Sequence, residues 1–259
     1  MSLMPVGFVS HNAPLMALQP SKGLQLLRWG NTMVTPKSIL VVSAHWVTSY
    51  PTLGSITSRS LMYDFFGFPE ELYAIKYPAP GALEIADKVK SLIEFQFGRC
   101  EQEKTRAWDH GVWIPLMHMY PKADIPILQL SLPSDLSPKE LFLLGETLSS
   151  LRHNGTLILC SGAITHNFQE LDWEEKKPLP QWAAEFDQWI EETLVNWDMD
   201  ELLKFQTVAP GFSTAHPTWE HFTPLLIAAG AANKESHEAS FPITGFEYSS
   251  LSRRCIQFS

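Results

Sequence analysis

Histidine is the residue type in this chain best suited to chemistry. Nine are spread over 259 residues. Six stand in loop-like or helix-start contexts: His11 in Ser10-His11-Asn12-Ala13-Pro14, His45 in Ser43-Ala44-His45-Trp46, His110 in Asp109-His110-Gly111, His166 in His166-Asn167, and the pair in His216-Pro217-Thr218-Trp219-Glu220-His221. Neutral imidazole is the commonest metal ligand, and a catalytic site needs only about three protein ligands if one position stays open for water or substrate. Any single histidine is more often an ordinary partly buried or surface residue. Joint placement just after apolar runs is what points His11, His45 and His166 toward a metal. His118, His153 and His237 lie in helical or polar stretches and read as ordinary residues. No H-E-x-x-H, G-x-S-x-G, P-loop or G-x-G-x-x-G is present, so peptidase, serine hydrolase and nucleotide-binding templates find no local support. A site built from these histidines must be assembled in space.

The elements that would assemble it are legible as runs and periods. Apolar runs of strand length recur at Pro5 to Val9, Ile39 to Val42, Ile127 to Leu130 and Leu157 to Leu159. Between them Ala82, Ala86, Val89 and Ile93 share one helical face, as do Leu141, Leu144, Leu148 and Leu151. The second of these helices has a start signal: Ser137 can cap, Pro138 suits the first helical position and Glu140 completes a capping box. Gly155 follows its end. Trp182, Phe186, Trp189 and Ile190 predict a further helix, Pro217 to Ala229 contains another that begins just after a proline, and Glu174 to Pro180 reads as a linker or loop. Strand and helix alternate. The expected fold class is α/β, a single domain with a central, mostly parallel sheet flanked by helices and a metal site at the carboxyl ends of the strands. That domain would run over residues 4–259, with Met1-Ser2-Leu3 set apart as an expression scar.

Bulk properties narrow the function. At 45% hydrophobic residues the chain can bury a large core, and a net charge of -9 without any basic run argues against a nucleic-acid partner. Cys100, Cys160 and Cys255 form no C-x-x-C pair and leave an odd thiol, which speaks against a disulfide framework or a thiolate zinc site. No segment approaches the ~20 apolar residues of a membrane span. A cytoplasmic protein is expected, and its oligomeric state stays open between monomer and dimer.

Several segments together resemble the class III extradiol ring-cleaving dioxygenases, within them the DOPA-dioxygenase-like, LigB-type subgroup. They are Ser43-Ala44-His45-Trp46, Tyr63-Asp64-Phe65-Phe66-Gly67-Phe68-Pro69, Tyr77-Pro78-Ala79-Pro80-Gly81, Asp109-His110-Gly111-Val112-Trp113, Ser161-Gly162 with His166-Asn167, and Pro217-Thr218-Trp219-Glu220-His221. The resemblance implies an enzyme that opens the ring of a catechol such as DOPA with dioxygen. It implies Fe(II) for catalysis, with Zn(II) an alternative occupant. Carried over by position, His11 and His45 are metal ligands and His221 the third, with Glu220 the alternative because a glutamate holds that place in another branch of the family. His166 resembles the acid/base histidine and a fourth ligand; His110 resembles a second pocket histidine that hydrogen-bonds substrate or oxygen. Many relatives have Gly-Ser-Pro after the first histidine where this chain has Asn12-Ala13-Pro14, which leaves the substrate's substituents open.

Each remaining segment has a plainer reading. Tyr63 to Pro69 divides evenly between a substrate wall and a packed loop, Tyr77 to Gly81 is a structural turn, and Trp46 and Trp113 belong to the core. Rival functions for the histidine cluster are a zinc-dependent hydrolase or isomerase, a non-enzymatic adaptor on the same fold, and a closed structural metal site.

Overall fold

Runs of Val, Ile and Leu become central strands because only a sheet covered on both faces buries consecutive apolar residues. The computed structural model describes residues 3–57, 60–233 and 237–259. Residues 1–2, part of the segment set apart as a scar, fall outside them. The strands are β1 (Val6–Ser10), β2 (Ser38–Thr48), β3 (Thr52–Leu53), β4 (Glu101–Gln102), β5 (Ile127–Pro133), β6 (Thr156–Gly162), β7 (Ala239–Ile243), β8 (Phe246–Glu247), β9 (Leu251–Ser252) and β10 (Cys255–Phe258). The helices are α1 (Pro20–Thr32), α2 (Glu70–Ala74), α3 (Leu83–Phe97), α4 (His110–Met119), α5 (Pro138–Leu148), α6 (Gln181–Val195), α7 (Met199–Leu202), α8 (Phe205–Val208), α9 (Phe212–Ala215) and α10 (Pro224–Ala232).

One eight-stranded sheet runs in the order β4-β3-β5-β2-β6-β1-β10-β7. Its middle, β5-β2-β6-β1, is parallel, and antiparallel β3 and β10 flank it. The two-residue period of a strand then sorts the apolar runs. Leu40, Val42, Ile158 and Cys160 enter one core with Leu144, Phe186 and Leu225; Ile39, Val41, Leu157 and Leu159 enter another with Trp29, Trp108 and Trp113. Helices therefore cover both faces, as the four runs require. Trp113 is buried in the second of these layers, and Trp46 is buried outside both clusters.

Helix α5 starts as its sequence predicts: Ser137 Oγ accepts from the Glu140 N–H while Glu140 Oε2 accepts from the Ser137 N–H at 2.8 Å. The helix expected within Pro217 to Ala229, beginning by a proline, starts at Pro224 rather than at Pro217. Continuing from Pro217 would put Pro224 in a helix interior, removing one hydrogen bond and pressing its ring on the carbonyl four residues back. The chain turns first, with Phe222 and Thr223 N–H both bonded to the Trp219 carbonyl at 3.0 Å, and Pro224 then opens α10 with its φ already set. That turn carries Glu220 and His221. Helix α10 is apolar all round and buried throughout, and a Cβ on its Gly230 would lie 1.9 Å from the Phe142 carbonyl of α5.

Candidate metal centre

The parallel strands deliver the histidines to one edge of the sheet. His11 follows β1 directly and its N–H is bonded to the Gly162 carbonyl at the end of β6. His45 lies within β2, at a place where the pairing with β5 shifts register between Val42 and Val47; that irregularity frees the segment to turn its side chain. His166 sits in the loop after β6, its N–H bonded to the Ala215 carbonyl, and the His221 carbonyl accepts from the Ala163 N–H at 2.9 Å. His110 is the first residue of α4. Five imidazoles from five separate segments thus share one site.

Hydrogen bonding on the far side of each ring fixes what the near side presents. The Ser161 hydroxyl donates to the Gly111 carbonyl at 2.6 Å, so its oxygen accepts from His11 Nδ1–H at 2.9 Å. Glu220 Oε1 accepts from His221 Nδ1–H at 3.2 Å, and Asp64 Oδ2 faces His45 Nδ1 at 3.5 Å. With the proton on Nδ1, all three Nε2 atoms carry bare lone pairs. Yet His45 Nε2 lies 3.0 Å from His11 Nε2 and 3.3 Å from His221 Nε2. Lone pairs at that range repel unless a cation lies between them. Nitrogens about 2.1 Å from a shared ion stand about 3.0 Å apart along an octahedral edge and about 3.4 Å along a tetrahedral one, so the donor set fits a metal. Potential ligand atoms of His11, His45 and His110 lie within 4.8 Å of one another, as do those of His166, Glu220 and His221. The His45–His221 contact joins the two groups.

The surroundings keep these rings neutral. Burial pushes His11 and His221 well below the ordinary imidazole range, helped by the neighbouring imidazoles; it brings His45 to about 3 and His166 to about 4. A metal would therefore displace no bound protons from these nitrogens at neutral pH. His166 stacks flat on His221, ring centroids 3.5 Å apart with planes 8° from parallel. His110 Nδ1 and its backbone N–H both donate to Asp64 Oδ1 at 3.0 Å. Burial pushes the Asp64 carboxyl up, but the bonds from His110 outweigh it and hold it below the ordinary carboxylate range. Beneath the site, Ser43 Oγ and Gln129 Nε2 donate to the buried Asp109 carboxylate, and Ser43 Oγ also receives the His45 N–H.

Two glycines allow this crowding. A Cβ on Gly162 would stand 2.1 Å from the His221 carbonyl oxygen, and one on Gly111 would stand 2.5 Å from Ser43 Oγ and 3.2 Å from His45 Cδ2. Above the imidazoles opens a cavity of about 460 Å³, within the range of small-molecule sites. His11, His45, His110 and His166 line it together with Asp64, and its walls are Phe65, Phe66 and Phe68 on one side and Phe168, Leu171 and Trp173 on the other. The stretch Tyr63 to Pro69 is thus cavity wall. Tyr77 to Gly81 is the structural turn expected, since a Cβ on Gly81 would meet the Ile56 carbonyl at 2.0 Å.

His11, His45, His110, His166 and His221 are all brought together. His216 is not: its Nε2 donates to the Ile164 carbonyl at 2.7 Å inside an aromatic cluster of Phe186, Phe212 and Phe222. His118 bonds the Met16 carbonyl beneath α1. Asp64 was not marked as a site residue by its sequence position, although the aromatic segment carrying it was. Asn12, at the departure from the related pattern, adopts φ +53° and keeps Oδ1 buried without a protein partner among the described residues.

Comparison with known proteins agrees with this arrangement. Residues 20–254 match the family described as the catalytic LigB subunit of aromatic ring-opening dioxygenase. A 4,5-DOPA dioxygenase extradiol of Beta vulgaris is 42% identical over 88% of this chain and 87% of its own, and the protein of that description in Escherichia coli (strain K12) is 33% identical over 98% and 94%. The crystal structure of an uncharacterized Escherichia coli K12 protein superposes with a TM-score of 0.82 at 29% identity, covering 99% of this chain and 100% of the other. Because the match runs over most of the chain, from residue 20 through the turn bearing His221 to residue 254, the chain belongs to the LigB family of aromatic ring-opening dioxygenases.

Proposed function

We propose that this chain is an extradiol dioxygenase that opens the ring of a catechol such as DOPA, with residues 4–259 acting as one catalytic domain. The observation that carries the reading is the convergence of three bare imidazole nitrogens, two of them on residues that line an aromatic-walled cavity. Relatives described as 4,5-DOPA dioxygenases support the choice of substrate. His11, His45 and His221 hold the metal, and His166 is placed to approach it as a fourth ligand. Glu220 serves as the carboxylate behind His221. Fe(II) is the working metal; Zn(II) is an occupant that nitrogen-rich sites favour over ferrous iron. Bound iron supplies the one-electron chemistry that lets dioxygen react with an aromatic ring.

The protein's own groups do the rest. Phe65, Phe168 and Trp173 sandwich a flat ring and exclude water. His110 accepts a hydrogen bond from a catechol hydroxyl. His166 takes the hydroxyl proton on substrate binding and returns it as the ring opens. Both atoms of dioxygen enter the ring-opened semialdehyde. No helix of the described residues is long and apolar enough to cross a membrane, and we assign the activity to the cytoplasm.

Protein loaded anaerobically with Fe(II) and given DOPA or simpler catechols is expected to consume one dioxygen per catechol while a yellow product accumulates. No uptake with iron demonstrably bound would refute the proposal and leave a zinc-dependent hydrolase as the reading of the same cluster.

A further inference from the structure

Of the two carboxylates behind the imidazoles, Glu220 serves one ring. Asp64 serves two. Its Oδ1 accepts both the backbone N–H and Nδ1–H of His110 at 3.0 Å, while its Oδ2 stands 3.5 Å from His45 Nδ1. An ionised carboxylate only accepts hydrogen bonds, so both rings must turn an N–H toward it. His45 then offers a bare Nε2 to His11 and His221, and His110, with Nδ1 spent on Asp64, is left with a bare Nε2 for the cavity it lines. The segment leading into the carboxylate is itself anchored. Tyr63 hydroxyl donates to the Ile75 carbonyl at 2.6 Å, and Trp113 Nε1–H donates to the Met62 carbonyl at 3.1 Å. The next residue, Phe65, is a cavity wall and packs edge-on against the His110 ring.

We infer that Asp64 is a positioning residue that sets the orientation and tautomer of His45 and His110 together, tying a metal ligand, a substrate-facing acceptor and the aromatic wall to one carboxylate. The inference rests on the metal-site reading above and extends it to a residue outside the ligand set. It also states what the substrate must bring: a cavity that presents His110 as an acceptor selects a hydroxyl donor and disfavours a methyl ether at the same place. Carboxylates behind ligating histidines commonly act in this way, and their loss typically costs 10–100-fold in metal affinity or activity.

The two oxygens make the isosteric variant informative. In Asp64→Asn the His110 backbone N–H keeps the amide oxygen on its own side, so the amide NH2 takes the place of Oδ2 and points a donor at His45 Nδ1–H. His45 must then move its proton to Nε2, the nitrogen needed by the metal. The expected result is zinc binding weakened about 10–100-fold in competition with a chromogenic chelator, with the metal-free protein unfolding at an unchanged temperature. Long-range proton–nitrogen correlation on 15N-labelled, zinc-loaded wild type should show Nδ1–H on both rings, assigned by single histidine replacements. His110 should give the same signal in metal-free protein, because its bond to Asp64 needs no ion. A proton on His110 Nε2 in the wild type, or zinc affinity within twofold of wild type in Asp64→Asn, would overturn the inference. The wild-type spectrum decides the His110 half even if the variant fails to fold. Neither readout depends on oxygen uptake, so a protein that turns over no catechol would lose the proposed function while Asp64 is still judged on its ring signals.

Discussion

Replacing Gly162 with alanine tests whether the site depends on the backbone beneath it. The added Cβ would lie 2.1 Å from the His221 carbonyl oxygen, and real contacts of this kind stay beyond 3.0 Å, so one partner must move by at least 0.9 Å. Gly162 is the last residue of β6, paired with Ser10 of β1, and a second neighbour, Phe8 Cε2, closes the other direction at 3.3 Å. The His221 turn is the part free to yield. Metal ligands tolerate about 0.2 Å of error, so such a shift removes His221 from the donor set although the residue itself is unchanged. Turnover should fall about 100-fold, and overpacking should cost about 1–3 kcal/mol of stability. Gly111→Ala is the control: its nearest contact is the Ser43 hydroxyl at 2.5 Å, a side chain rather than backbone, and a smaller loss is expected. Zinc affinity by chelator competition, oxygen uptake and thermal unfolding would be measured side by side. If Gly162→Ala binds zinc as wild type does and turns over catechol at an unchanged rate, the coupling between β6 and His221 is refuted.

His166→Ala should retain metal and lose turnover; undiminished turnover would remove His166 from proton transfer. His221→Ala should weaken metal binding more than Glu220→Ala, because Glu220 meets the Nδ1 side of His221 while Nε2 faces His45; the reverse order would make the glutamate the ligand. Zinc at 100 times its dissociation constant should stabilise the fold by about 2.7 kcal/mol, and a melting temperature indifferent to zinc would exclude a preformed site. The Ser137 hydroxyl and N–H hold the Glu140 carboxyl below the ordinary range. A lowered folded value means the stabilisation is complete above the unfolded carboxylate range and fades as pH falls through the folded value. Glu140→Gln should therefore melt below wild type at neutral pH, with the gap closing as the pH falls through the carboxylate's lowered folded value; a constant gap would refute the carboxylate's part in the cap.

Much of this was readable in the chain because its signals are local. Val41-Val42 followed by Ser43-Ala44-His45 announces a buried strand and then a candidate ligand, and Ser137 with Glu140 announces a helix start. His221 stood out only through the resemblance of the whole segment, since nothing local separates it from His216, which the fold spends on a carbonyl in an aromatic cluster. Asp64 was silent because its partner His110 lies 46 residues away and reaches it only after the cavity loop packs on α4. The start of α10 was legible only as one of two prolines, because Pro217 and Pro224 carry the same signal; the turn bearing His221 comes between them and the helix opens at Pro224. Strands β7 and β10 were missed because Ser240 and Gln257 interrupt their apolar residues, as suits an antiparallel edge.

The position of β1 sets the order of events in biosynthesis. This first strand, which leads into His11, pairs Val6 with Ile158 on one side and with Phe258 on the other. Its partners lie far along the chain, at Ile158 and Phe258. At about 5–20 residues per second, the nascent N-terminus waits on the order of ten seconds for β6, and His221 emerges later still. A metal site that draws on both His11 and His221 can therefore be complete only after both segments have been made and the fold has brought them together.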